Sequence, residues 1–513
     1  MASRKRDARP DSIRAAPARR RTLPSGRLLG GLLLGGLVLG AAAAWAAIEF
    51  VGVSPRLLAS YIERRASGHN ALIEGTAQRV ARWLLWIDRG PLAPRPVFPS
   101  WAPPAAVTAP STAPSTTPTS AADSTRDAAA RRDILVTDAA QLRLELAQAQ
   151  PGDVLTLVPG TYRFDGRSLQ AVRAGQPQAP ITVRAPHAGA VLLEFNLLEG
   201  FLVGAPHWIF ENLTIVGVCA SDDDCEHAFH VVGNAREVVI RNNEIREFNA
   251  HIKVNGADGR FPDGGLVAGN RLYNTRPRRT DNPVTLFDLV AASDWRVEDN
   301  LIADFVKDGG DYTSYGAFAK GGGAGNRFLR NVVLCEHRLR GVPGRRIGLS
   351  FGGGGTGAAA CRDRRCVVEH ARGLMRDNLI ASCADDGIYV NRSAQSELRH
   401  NTLIDTAGIN LRFAETSAEL VGNLVDGPIR VHAGALARTS DNRSTWLPAS
   451  YLRLGAVRAH FVDALDLDLR WRGQVPRRTQ AEAQPDLCGA PRPAAPAYGA
   501  FEDLGRCRAG AAR

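Results

Sequence analysis

Aromatic residues are scarce in this chain: Trp, Tyr and Phe make up 6% of 513 residues, against 51 glycines. Such a composition does not describe one thick aromatic core; it suits short strands joined by small turns. None of the eight cysteines stands in a Cys-x-x-Cys pair, and few histidines lie beside them, which argues against zinc. The glycine run Gly352-Gly353-Gly354-Gly355-Thr356-Gly357 is followed by no Gly-Lys-Ser/Thr and no helix signal, which excludes a nucleotide site. Its glycines would instead let a polymer or a long loop approach the backbone closely. Leu28 to Ala47 contains no charged or strongly polar residue, and twenty such residues can span a bilayer.

What surrounds that span gives it a direction. The formal charge is +11, and Arg4, Lys5, Arg6, Arg9, Arg14, Arg19, Arg20, Arg21 and Arg27 crowd the start. A basic tail before an apolar run reads as a cytoplasmic flank and not as a nucleic-acid arm, so the rest of the chain is expected to be exported. The rival is a cleaved signal peptide, because Ala44-Trp45-Ala46 resembles a small-residue cleavage site. The expected organisation is a basic cytoplasmic tail at 1–27, a single-pass anchor at 28–48 in a bacterial-type inner membrane, and a membrane-proximal helix or helix pair at 55–90. A disordered Pro/Ala/Ser/Thr linker at 91–132 and a periplasmic or extracellular domain at 133–470 come next, then a tail or cap at 471–513.

That domain is one short unit written repeatedly. Asn-led apolar runs begin at Asn212, Asn243, Asn270, Asn300, Asn331, Asn378, Asn401 and Asn423, 22 to 31 positions apart except for one gap of 47. Repetition at this period means a solenoid, and Val/Ile/Leu runs bounded by Gly, Asn and Asp are strands. The predicted fold is all-β: a single-stranded parallel β-helix in which each coil pairs with the next. The Asn residues are read as structural, at a turn that tolerates left-handed backbone, with amides bonding up the stack. A short helix over Ala139–Ala149 is expected to cap the open end, and Trp446–Arg472 to form a closing coil or cap.

Cysteines in an exported domain imply disulfides. Cys219 and Cys225 bracket an acidic loop, Cys361 and Cys366 bracket another, Cys335 and Cys383 follow Asn-led runs in neighbouring coils, and Cys488 and Cys507 remain as a tail pair.

The second strand of each coil alternates an aliphatic face with one carrying His230, Lys253, Asn255, Tyr389, Asn391, Asn410, Arg412, Arg430 and His432. A solvated sheet face would satisfy alternation alone. The basic, amide-rich selection also suits a groove for an anionic chain. Strict alternation with Phe318 inward would turn Lys320 inward too, unless a bulge after it re-aims it. Asp385-Asp386 is either a turn former or an acid-base or cation-binding pair.

The run Ala140-Gln141-Leu142, Gln150-Pro151-Gly152-Asp153, Gly160-Thr161-Tyr162 and Ala179-Pro180-Ile181-Thr182-Val183-Arg184-Ala185 resembles the opening of exported right-handed β-helices of the pectate-lyase-like superfamily. It is most similar to polysaccharide lyase family 6, the alginate lyases and chondroitinase B. The resemblance implies a right-handed β-helix acting on an acidic polysaccharide, with a Lys base, an Arg partner and calcium held by acids. Lys320 matches the Lys. The family's two preceding Glu fall on Thr313 and Tyr315, its upstream Asn on Asn282, and its Arg-His pair near Ser350 and Phe351, with Arg346 four positions early. No cofactor is therefore expected, calcium lacking its acidic ligands. The expected activity is lyase-type β-elimination on a uronate polymer, with Lys320 as base, Arg346 stabilising charge and Tyr389 or His251 donating the proton. A uronan C5-epimerase, or a non-catalytic protein of polysaccharide binding or envelope assembly, would use much the same surface.

Overall fold

The structure, a computed structural model, describes residues 40, 42, 43, 45, 46, 53–101, 132–353, 355–432, 434–452 and 454–509. By its contacts the chain divides after Val51 into two units, of which Gly52–Arg513 carries the solenoid. The basic tail, most of the apolar run at 28–47 and residues 102–131 of the linker lie outside the described residues. No helix among the described residues is long and apolar enough to cross a membrane.

Three ladders of parallel strands run through the domain among the described residues. One has twelve strands, from Asp133–Val136 to Leu436–Ser440; one has eleven, from Gly160–Asp165 to Arg443–Ser444; one has ten, from Leu169–Ala171 to Ile429–Val431. Strands adjacent in a sheet lie one coil apart in sequence, which is a parallel β-helix. The interior is a continuous stack of Val, Ile, Leu and Phe.

Asparagine holds one corner of every coil from Asn243 onward. In Asn243, Asn270, Asn300, Asn331, Asn378, Asn401 and Asn423, each Nδ2 donates to the Oδ1 of the next Asn at 2.8–3.1 Å, and each backbone N–H donates to the same oxygen. Asn442 ends the ladder. Two expectations change here. The left-handed residue is the one before the Asn: Asn242, Gly269, Asp299, Arg330, Asp377, His400, Gly422 and Asp441 all have φ between 52° and 71°. Asn212 takes that preceding position (φ 64°), and Leu213 occupies the ladder place, its N–H donating to Asn243 Oδ1.

The helix Ala139–Gln148 caps the first coil with Leu142 and Leu146 fully buried; Asp138 Oδ1 accepts from the N–H of Gln141. The C-terminal segment lies along the outer side of the eleven-stranded sheet, where Val457, Phe461, Leu469 and Phe501 cover Leu301, Val332, Leu379 and Ile404. All four expected disulfides are formed: Cys219–Cys225, Cys335–Cys383, Cys361–Cys366 and Cys488–Cys507.

The expected helix pair is present as α1 (Pro55–Ala66) and α2 (Ala71–Arg89). It docks on the flank of the late coils through buried charge. Asp405 accepts from Arg56 (3.1 Å), Arg89 (3.0 and 3.1 Å) and Arg340 (2.9 Å), while Arg56 also binds Asp88 and the Cys383 carbonyl. Burial alone would raise the Asp405 carboxyl, but Arg89, Arg340 and Arg56 outweigh it and hold it far below the usual range.

Candidate functional site

The ten-stranded sheet alternates as a strand must, with one break in each of five successive coils, and the outer face of its middle and later strands is largely covered: Asp288, Phe318, Ser350, Tyr389 and Asn410 are buried. Ala228 and Phe229, His251 and Ile252, and Leu286 and Phe287 are consecutive pairs that are fully buried. Gly316-Ala317 and Gly348-Leu349 hold the same place, because a Cβ on Gly316 would meet the Phe305 ring and one on Gly348 would meet Ile380. The register Phe229–Ile252–Phe287–Ala317–Leu349 keeps these breaks in line. Past them the outward rungs are His230–Lys253–Asp288–Phe318–Ser350–Tyr389–Asn410–Arg430 and, two residues on, Asn255–Val290–Lys320.

That break settles where Lys320 points. Phe318 and Lys320 do share a face, as alternation demands, but it is the outer one, because Gly316 and Ala317 both take the inner side. A bulge after Lys320 is not needed.

Lys320 opens into a cleft of about 740 Å³ lined also by Lys253, Asp288, Thr285, Tyr315, Phe318 and Lys307. Its Nζ lies 4.3 Å from the centre of the Phe318 ring, and among the described residues no hydrogen bond ties it down. Burial pulls its pKa below the ordinary lysine value and the charge of Lys253 adds to this, while Asp288 and Glu369 act the other way. The other two lysines are engaged: Lys253 with Asp288 (2.9 Å), Lys307 with Asp311 (3.0 Å) and the Asp281 carbonyl (3.1 Å). Burial raises the Tyr315 hydroxyl well above its ordinary value, with Tyr389 contributing, so it stays protonated. Glycines 353, 355 and 357 form one wall. That wall is fastened by Cys361–Cys366 and by Arg362, whose guanidinium binds Asp263 (2.7 and 2.8 Å) over the Phe261 ring. Gly352 has φ 71°, and a Cβ there would run into the Asn391 carbonyl, so only glycine lets this loop leave the strand.

Two expected residues are not brought to Lys320. Arg346 is 2% exposed and turned off the groove, bound to Glu336 (2.7 Å) and to the carbonyls of Val342 and Pro343; Arg345 takes the outward place and binds Asp385 (2.5 Å). His251 sits in the line of inward pairs, fully buried beside Phe248, its Nε2 at the Tyr273 carbonyl (3.1 Å), and burial pushes its pKa down to about 3. Tyr389 is outward but two rungs beyond Phe318, its hydroxyl accepting from Asn391 Nδ2 (3.1 Å).

The stripe exists, but it is not selectively basic. His230 lies between Glu199 (2.8 Å) and Asn255 (2.7 Å), and these acceptors raise its pKa against the opposing effect of burial. Arg430 and Asn410 both bind Asp386, whose carboxyl burial and neighbouring Asp385 push up to about 7. Asp385-Asp386 therefore supply counter-charge, not a free acid-base pair. Arg412 and His432 are exposed, Arg412 lying over the Phe413 ring at 5.1 Å.

Asp288, Tyr315, Lys307 and Glu199 are not singled out by the sequence pattern. Hydrophobic spacing alone sets Val284-Thr285-Leu286-Phe287 level with Ile252-Lys253-Val254-Asn255, but the register pairs Ile252 with Phe287, three residues on, and so places Asp288 opposite Lys253.

The acids around the cleft do not form the calcium site that the resemblance implies. Asp288 and Asp311 are spent on lysines, and among the described residues no three His, Cys, Asp or Glu side chains gather closely enough to hold a metal ion.

No family model matches the chain. It is 24% identical over 229 residues to pectate lyase L of Dickeya chrysanthemi, covering 38% of this chain and 52% of that protein, so the chain spans about half the length of this curated relative. Among solved structures it is similar to the pectate lyase Pel9A (TM-score 0.47, 13% identity, 73% of this chain and 96% of that one). It is also similar to a family 6 polysaccharide lyase of Pseudopedobacter saltans (TM-score 0.32, 12% identity, 62% and 93%). The chain thus resembles parallel β-helix polysaccharide lyases; the fold itself rests on the three parallel ladders.

Proposed function

We propose that this protein cleaves a uronate-containing polysaccharide by β-elimination, with Lys320 as the base. The carrying observation is the Lys320 amine: outward, in a cleft, on an aromatic face and held below its ordinary pKa by burial. A lysine with a lowered pKa and no carboxylate hydrogen-bonded to it among the described residues suits the role of base. Lys253 and Lys307, which line the cleft, turn from Asp288 and Asp311 to hold the sugar carboxylate when the polymer binds. Nζ of Lys320 takes the C5 proton, and the electron pair moves into the carboxylate. It then forms the C4=C5 bond as C4–O4 breaks, and the leaving oxygen takes its proton from Tyr315. Tyr315 assumes the role expected of Tyr389 or His251, and Lys253 with Lys307 that of Arg346.

The pairing of the groove cations with acids favours a second reading, a non-catalytic protein that binds polysaccharide. A C5-epimerase would use the same base but return the proton to C5. Screening the protein against pectate, alginate and chondroitin separates them: lyase action yields an unsaturated, ultraviolet-absorbing product, epimerisation changes the sugar without absorbance, and binding alone changes neither. Binding without absorbance from any of these polymers sinks the lyase reading.

The same proposal places 28–47 as an uncleaved anchor with the β-helix on the exported side. A mature N-terminus just after Ala46 or Ala47 would make it a signal peptide instead.

A further inference from the structure

The outward rung that carries Lys320 runs on past the cleft. Val290 pairs with Lys320, and the register through Ala319, Phe351 and Val390 brings Asn391 and then Arg412 into the same line, three strand spacings or about 14 Å from Lys320. In four coils of this rung the next residue turns the chain with a left-handed backbone: Ala291 (φ 64°), Gly321 (75°), Arg392 (50°) and Phe413 (75°). Glycine takes such a backbone freely and alanine adds only a methyl, whereas a bulky side chain there is an outlier. The corner therefore explains the backbone of Phe413 and not its ring. Strain of this kind persists at sites where the side chain itself is used.

The surroundings of Phe413 show what the ring does. The residue is 37% exposed, and the guanidinium groups of Arg392 and Arg412 each lie 5.1 Å from the ring centre. Arg412 is exposed, with no carboxylate in ion-pair reach among the described residues, and the Tyr389 hydroxyl near it is neutral. Arg392 has Glu415 at 3.9 Å, too far for a hydrogen bond, and its Nε has no hydrogen-bond partner among the described residues. Other cations of this sheet face are paired closely: Lys253 with Asp288 (2.9 Å), Arg345 with Asp385 (2.5 Å) and Arg430 with Asp386. Burial lowers the pKa of exposed-edge His432, and the charges of Arg412 and Arg430 lower it further. One ring thus gathers two guanidinium groups that lack a close counter-ion. An open aromatic ring beside two such forks is complementary to a sugar that carries a carboxylate: the ring meets its apolar face, the forks its charge.

We propose that Arg392, Phe413 and Arg412 form a distal subsite that seats one uronate unit of the polymer, about 14 Å along the coils from Lys320. Phe413 contacts the sugar ring and holds the two arginines together; Arg392 and Arg412 take its carboxylate. The inference rests on the reading of this chain as a protein of uronate polysaccharides, and it is the same for a lyase, an epimerase or a binding protein.

The test reads binding and not turnover, so it stands whether or not an unsaturated product forms. The full chain, carrying Lys320→Met so that no polymer is cut, is titrated calorimetrically at low salt with long-chain pectate, alginate and chondroitin. Phe413→Asn keeps a residue that tolerates the left-handed corner and removes the ring. It should lower the affinity for the bound polymer at least fivefold, with the melting temperature unchanged or raised. Arg392→Gln leaves the ring and the corner in place and should lower the affinity at least threefold. Unchanged affinity in either variant overturns the subsite, and a fall in the melting temperature of Phe413→Asn beside it would make the ring structural. Failure to bind any of the three polymers removes the polysaccharide reading, and the subsite with it.

Discussion

Lys320 carries the reading at the scale of a single side chain, and its effects on stability and on turnover point in opposite directions. Its folded pKa is lowered, so at neutral pH the unfolded chain binds a proton that the folded chain resists. The resulting stability deficit is present at pH 7 and disappears only as pH rises past the ordinary lysine value of about 10.4. Lys320→Met therefore leaves the melting temperature unchanged or raised, while turnover falls by a factor on the order of 10³ or more. A fall in melting temperature with turnover intact would make the amine structural. In the unsubstituted protein, kcat/KM rises with pH along a limb whose midpoint lies below the ordinary lysine value, because the neutral amine is the active form. Asn300 is the structural counterpart. It accepts from Asn270 Nδ2 and N–H and donates to the Val267 carbonyl and Asn331, all buried. Asn300→Ala removes four bonds and leaves their partners unsatisfied, a loss of about 3 to 5 kcal/mol to be read from urea unfolding.

Among the elements, the α1–α2 hairpin shows how a buried ion cluster sets where a helix sits. Asp405 gathers three arginines from three segments, and removing its charge leaves them without their shared counter-ion. Asp405→Asn should cost about 3 to 5 kcal/mol and release the hairpin to protease at 53–101 before the coils unfold. The depressed pKa gives the sign with pH: the stabilisation is complete above the unfolded carboxylate value, about 3.9, and is lost only as pH falls below it. Release between pH 5 and 7 would show that the cluster does not hold the hairpin. The coils themselves were legible from Asn spacing, since the amide ladder needs one Asn per turn of the solenoid. The cap and the disulfides followed from terminal position and loop brackets. Strand register was not legible, because two consecutive residues face inward in each of five successive coils: Leu286-Phe287 and Gly316-Ala317 look like ordinary alternation until the partner strands are known. That shift concealed Asp288 and left Lys320 ambiguous. Arg346 was misplaced for a related reason, as one position decides between Arg345 outward and Arg346 buried. The helix pair at 55–90 was legible from its apolar spacing, but not its docking, which depends on Arg56 and Arg89 meeting a residue more than 300 positions away.

Across the whole molecule, the groove and the cleft together make a length-dependent prediction. From Phe318 the outward rungs climb through Ser350 and Tyr389 to Asn410, three strand spacings or about 14 Å. Arg412 stands at this far end, exposed, while Arg430 beside it is spent on buried Asp386 and Lys253 on Asp288. A polymer lying along the coils with a sugar at Lys320 reaches Arg412 only if it extends several units beyond the cleft. Arg412→Gln should then raise KM for long polymer several-fold, leave kcat unchanged, and have no effect on oligomers too short to span the distance. Arg430→Gln should act differently, lowering stability by stranding Asp386. Added salt should remove the advantage of long over short substrates, because the exposed arginine is screened where the paired ones are not. Equal sensitivity of short and long substrates to Arg412→Gln would mean that the chain does not run along the solenoid, and the groove would have to be read as an ordinary solvated sheet face.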